Sequence, residues 1–218
     1  MGGKRAKQKS DDSNCDEEDG PKELLSKYRL ACSDLGLDPN DALVSSLTNQ
    51  ANPHCGKQIL LERVANFRTS HCRSLVMAVL GRTGVEKDSK NIPNVYKALK
   101  ELRILRTEVG EDGVVALADL LRLSEQKIDI NFFELLECGV GPIGAKALGR
   151  GLSCGMNKSV LTLILDYNPN LACIGTVALC EGLKSNSSLK KLSLKRCGIG
   201  ISGAVGRRMR NRFLVCHA

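Results

Sequence analysis

Four segments of this chain repeat one apolar register, and that repetition limits how the chain can fold. Aligned on three apolar residues spaced by three and then two, they read Leu99-Leu102-Ile104, Ile130-Phe133-Leu135, Val160-Leu163-Leu165 and Leu189-Leu192-Leu194. Three residues past each triplet stand Thr107, Cys138, Asn168 and Cys197, followed by Val109-Gly110, Val140-Gly141, Ile174-Gly175 and Ile199-Gly200. Helices rich in small residues are predicted for Gly113 to Leu121, Gly144 to Leu152 and Gly175 to Leu183. The segments start about 30 residues apart. A strand–helix unit of that size cannot bury its apolar face alone, so it must stack on its neighbours.

Each position in the register has a physical reason. The triplet is a short strand whose alternate residues point into the core. The Thr, Cys or Asn side chain can bond the backbone where the chain leaves the strand. The glycine after Val or Ile admits a tight backbone path. Ala116, Ala147 and Ala178, beside Leu117, Leu148 and Leu179, let each helix lie close to its strand. The strands should be parallel, lie side by side in chain order, and centre on Ile104, Leu135, Leu165 and Leu194. Aromatic residues are only 3% of the chain and there is no Trp, which suits thin stacked layers better than a sandwich or barrel.

These segments follow the pattern L-x-x-L-x-L-x-x-N/C-x-I-G-x-x-G-A-x-x-L, and in this the chain resembles ribonuclease-inhibitor-like leucine-rich-repeat proteins over about half its length. The resemblance implies an α/β leucine-rich-repeat solenoid: a short horseshoe arc with a parallel sheet on the concave face and helices on the convex face. Repeats would occupy residues 98–206, preceded by a helical N-terminal cap over residues 22–97. In the cap, Leu24, Leu25, Tyr28 and Cys32 share one helical face before Gly36, and Pro39-Asn40-Asp41 opens a second helix with Leu43, Val44 and Leu47 inward. Cys72, Leu75, Val76, Val79 and Leu80 mark a third helix ending at Gly81. A strand at Gln58-Ile59-Leu60-Leu61 with that helix would make a degenerate first repeat, and Pro93 to Ala98 reads as a short helix. The spacing Tyr28-x-x-x-Cys32-x-x-x-Gly36-x-x-Pro39 is also similar to the lead-in of some intracellular repeat proteins, including ciliary ones.

The chain departs from the pattern in two places. Asn168 to Ile174 is four residues longer than the pattern, so a small loop should bulge there. The last unit follows the rule only to Gly206; Arg207 and Asn211 stand where Leu117 and Leu121 stand in the first. Residues 207–218 therefore read as an off-pattern basic tail, loosely packed, leaving an uncapped last strand that offers a route to self-association. At the other end, residues 1–21 read as a disordered charged leader, a basic run followed by an acidic one.

Charge and cysteine content narrow the function classes. The formal net charge is +8, and Lys190, Lys191, Lys195, Arg196, Arg207, Arg208, Arg210 and Arg212 account for all of it. The rest of the chain is neutral, which argues against nucleic acid as the main partner and confines that alternative to the C-terminal segment. None of the 10 cysteines forms a C-x-x-C pair, and no run is long and apolar enough for a membrane span. Reduced thiols and a cytoplasmic location are expected, with nuclear or ciliary and cytoskeletal placement as alternatives; Lys4-Arg5-Ala6-Lys7 is the nuclear candidate. No cofactor, metal or catalytic residue is expected. The repeats hold no histidine to serve as a base, since His54, His71 and His217 all lie outside them.

The expected function is therefore non-catalytic protein binding, as a scaffold or assembly component, through residues that project between the apolar positions of the strands. The candidates are Arg103, Arg106, Phe132, Glu134, Glu137, Ile164, Asp166, Tyr167, Lys195 and Arg196. In stacked strands they form two ladders, Arg103-Glu134-Ile164-Ser193 and Arg106-Glu137-Tyr167-Arg196. Arg103 with Glu134 and Arg106 with Glu137 can neutralise each other as exposed pairs, while Phe132, Leu136, Leu161, Ile164 and Tyr167 make an apolar patch with a charged rim. The resemblance adds a second reading, a regulator that inhibits or activates a partner enzyme such as a ribonuclease or a small GTPase.

Overall fold

The structure is a computed structural model that describes residues 20–49, 51–82, 95–122, 128–153 and 157–200 and the backbone of 213–215. Residues 1–19 of the leader, Gly203-Ala204 and the arginines of the tail lie outside the described residues, while Pro21, expected in the leader, opens the first helix.

Helix α1 (Pro21–Asp34) opens on a proline, whose missing N–H costs nothing in a first turn, and buries Leu24, Tyr28 and Cys32. Gly36 follows with φ +63°, a left-handed stop. The Asn40 side chain accepts from the Ala42 and Leu43 amides at 3.1 and 3.4 Å and so caps α2 (Asp41–Thr48). Strand β1 (Gln58–Glu62) and α3 (Thr69–Val79) follow, and α3 buries Cys72, Leu75, Val76 and Val79 as its periodicity predicts. Of the expected helix at Pro93 to Ala98, the first two residues lie outside the described residues. Its described part, Val95 to Ala98, is irregular, because the buried Tyr96 is pinned at both ends: its amide donates to the Val79 carbonyl at 2.8 Å and its hydroxyl to the Gly56 carbonyl at 2.9 Å.

From there strand and helix alternate: β2 (Glu101–Leu105), α4 (Gly110–Arg122), β3 (Phe132–Leu136), α5 (Pro142–Gly151), β4 (Thr162–Ile164), α6 (Ala172–Leu183) and β5 (Lys191–Ser193). The additional residues after Asn168 are taken up by a 3₁₀ turn, Pro169–Leu171, which tucks Leu171 into the core. Among the described residues the strands form one sheet in chain order, β1 to β5 and then β6 (Phe213–Val215), every adjacent pair parallel. Leu102 pairs with Phe133, Phe133 with Leu163 and Leu163 with Leu192, the register that the apolar triplets dictate. The strands sit slightly earlier than expected. Leu165 and Leu194 fall just past β4 and β5, since the chain turns out of the ladder immediately beyond them.

One continuous core lies between the sheet and the helices, with Ile104, Leu135, Leu165 and Leu194 facing Leu117, Leu148 and Leu179. Of the three alanines only Ala116 is buried in this core. Ala147 and Ala178 are half-buried and line a hollow between α5 and α6, so the small side chains bring helix to helix. Gly149 and Gly182 serve the same end. A Cβ on Gly182 would lie on the Gly149 backbone, which fixes how closely the two helices pack.

The first unit belongs to the sheet in full, Ile59 pairing with Leu102 and Leu61 with Ile104. Its opening apolar position is Gly56, because a Cβ there would meet the Tyr96 hydroxyl at 2.7 Å and Pro21 at 3.1 Å. At the other end, the tail was expected to leave the last strand open. Instead Phe213–Val215 pairs with Lys191–Ser193 and satisfies the outer backbone groups of β5.

Candidate protein-binding surface

The open face of the sheet is built from residues that alternate with the core positions. One row runs Gln58, Glu101, Phe132, Thr162 and Lys191, and the next Leu60, Arg103, Glu134, Ile164 and Ser193. Just past the strands a third row forms, Arg63, Arg106, Glu137, Tyr167 and Arg196, each with φ between 47° and 61°. A left-handed non-glycine residue costs about 1 kcal/mol or more. Hydrogen bonding to the next unit offsets this: Arg63, Arg106, Glu137 and Tyr167 donate their amides to Leu105, Leu136, Asp166 and Lys195 carbonyls at 2.7 to 3.0 Å. The bend tips these five side chains out along one edge of the sheet.

Beneath them the Thr, Cys and Asn row seals the turn. Asn168, buried, donates to the Leu135, Leu165 and Asp166 carbonyls at 2.8, 2.9 and 3.2 Å and accepts from the Cys138 and Val140 amides at 3.0 Å each. Cys138 donates its thiol to the Ile104 carbonyl at 3.1 Å, and Cys197 to Leu165 at 3.0 Å. Burial pushes the Cys138 thiol up to about 12, and Cys72 likewise. Both are therefore structural thiols rather than nucleophiles. A second row of this kind has a sequence signal that the apolar alignment passes over, Asn-x-Ser just before the triplet. Asn157 accepts from Ser159 and Val160, and Asn186 accepts from Ser188 and Leu189 while donating to the Leu152 carbonyl at 2.6 Å.

The candidate residues all fall on this face, though not all are accessible. Arg103 and Glu134 meet at 2.7 Å, but Glu134 is only 5% exposed, so the pair is not the exposed one expected. The guanidinium of Arg103 lies over the Phe132 ring at 5.2 Å and closes the carboxylate in. Asp166 is also buried, its Oδ1 accepting the Lys195 amide at 2.8 Å, a bond that ties it to the next unit. Arg106 does pair with Glu137, at 3.6 Å, and also with Glu62 at 3.4 Å. Tyr167 is 46% exposed with Arg196 over its ring at 5.6 Å. Ile164 and Phe132 are half-buried, and Lys195 and Arg196 are exposed. Leu60, Glu62 and Arg63 extend the face by one strand. The sequence announces this strand but not its place on the face, because Gly56 breaks the triplet that fixes the outward positions.

No family model matches the chain. A human protein, NACHT, LRR and PYD domains-containing protein 5, is 31% identical over 149 residues. This chain is similar to a leucine-rich-repeat protein. The match takes in 67% of the chain and 11% of that protein's length, so it concerns one stretch of a much larger molecule. A parallel sheet built in chain order is compatible with that similarity. Among the described residues, no helix is long and apolar enough to cross a membrane.

Proposed function

We propose that the chain is a short leucine-rich-repeat arc of the ribonuclease-inhibitor-like kind, a non-catalytic scaffold or assembly component that binds a protein partner on the concave sheet face. The observation that carries this is the strip of half-buried Phe132 and Ile164 with exposed Tyr167, the two aromatic rings each lying under an arginine. Rigid aromatics beside guanidinium groups are the make-up of interface hot spots. The buried thiols support the non-catalytic reading, since Cys138 and Cys197 spend their protons on backbone carbonyls. Cys32, Cys55, Cys72 and Cys138 carry free thiols, which fits a reducing compartment and so a cytoplasmic location.

The test is affinity capture from native extract, quantified by mass spectrometry, with the wild-type chain and with Phe132→Ala combined with Tyr167→Ala. The double variant should lose at least about tenfold of the captured partner, as a hot-spot pair does, while its melting temperature stays within a few degrees. Equal capture by both proteins would refute the site.

A further inference from the structure

The open face is electrostatically divided. Across β1 to β3 most of its charges are used internally, Arg63 apart: Arg103 on Glu134, Arg106 on Glu62 and Glu137, Lys100 on Asp129, and the Gln58 amide on Glu101 at 2.8 Å. On and beside β5 the balance fails. Lys190, Lys191, Lys195 and Arg196 have no ion-pair partner among the described residues. The buried carboxylate of Asp166 accepts the Lys195 backbone amide at 2.8 Å. On and beside β4, next to these cations, Thr162 lies opposite Lys191, and the other outward side chains are apolar or aromatic: Leu161 at 36% exposure, Ile164 half-buried and Tyr167 at 46%.

On the reading of this face as a protein-binding site, we infer that its β4–β5 end takes an acidic peptide segment of the partner carrying an apolar or aromatic residue between its carboxylates. Lys191 and Lys195 are four residues apart on nearly extended backbone, a separation of about 13 Å. Carboxylates at that separation engage both ammonium groups while the intervening side chain settles on Ile164 and Tyr167. Four unneutralised cations on and beside β5 repel each other, and an acidic ligand relieves that repulsion and gains a salt-sensitive on-rate. A nucleic acid strand fits less well. The basic groups do not track across the sheet, and Glu137, its side chain 59% exposed, stands beside Tyr167 where a phosphate chain would continue.

The test uses the full chain and a fluorescein-labelled peptide of Asp and Glu interrupted by Leu and Phe, read by fluorescence anisotropy. Controls are the Asn/Gln version of the peptide, an acidic homopolymer with no apolar residue, and an oligothymidylate of equal charge. The acidic-apolar peptide should bind best, more weakly as salt rises. Lys191→Glu with Lys195→Glu should cut its affinity at least about tenfold, and Lys191→Arg with Lys195→Arg should retain it. Equal binding by the charge-reversed chain, or tighter binding of oligothymidylate than of peptide, overturns the proposal. In the native-extract assay, capture lost by the Phe132/Tyr167 variant but kept by the charge-reversed one leaves the concave site standing and removes the acidic partner. Capture kept by both variants removes the site itself.

Discussion

Asn168 does more for this fold than its size suggests, because one amide side chain satisfies two backbone donors and three acceptors belonging to two successive units. Asn168→Ala would orphan those buried groups, at about 1–3 kcal/mol for the first unsatisfied group alone. A loss of at least about 3 kcal/mol in denaturant unfolding is expected, with binding of the partner weakened only as far as Tyr167 next to it shifts. The thiols of Cys72 and Cys138 give a pH prediction. Their folded values near 12 lie above the ordinary 9.0, so the stability they confer is complete below pH 9 and declines as pH rises towards 12. Each thiol should add about 1.4 kcal/mol per pH unit to the alkaline slope of unfolding free energy. Cys138→Thr, which copies Thr107 one unit earlier, should remove about half of that slope. An unchanged slope would show that the Cys138 thiol does not titrate with unfolding.

At the scale of elements, the apolar triplets were sufficient to place β2 to β5, their parallel direction and their register, since a slip of one residue would turn Phe133, Leu163 and Leu192 out of the core. The helix that pattern suggested at Pro93 to Ala98 fails over Val95 to Ala98 on a long-range contact: Tyr96 reaches back 40 residues to Gly56, and no local propensity reports that. The face itself was legible as a list of positions but not as a surface. Alternation assigns Glu134 and Asp166 outward, whereas the arginine of the preceding strand roofs the first and the amide of the following unit claims the second. Helix packing is set by glycines that the pattern treats as incidental. Gly182→Leu must force α6 away from the Gly149 backbone, and should cost about 1–3 kcal/mol or more as overpacking does. A thermal melt unchanged from wild type would show that α5 and α6 part without resistance.

For the whole molecule, the pairing of Phe213–Val215 with β5 makes the C-terminus part of the sheet. Truncation after residue 212 should bare the edge of Lys191–Ser193, lower the melting temperature by a few degrees and promote association at high protein concentration. Sedimentation velocity reads this directly, and a monomeric, equally stable truncation would show that β6 contributes nothing. The order of the strands has a further consequence. Because every strand bonds only to those before and after it in the chain, no segment is threaded between two others, and whole units can be gained or lost in descent without rerouting the backbone. Selection acting on such a chain can lengthen its reach by duplication at a strand boundary, or retune one rung of the face while its neighbours keep their contacts.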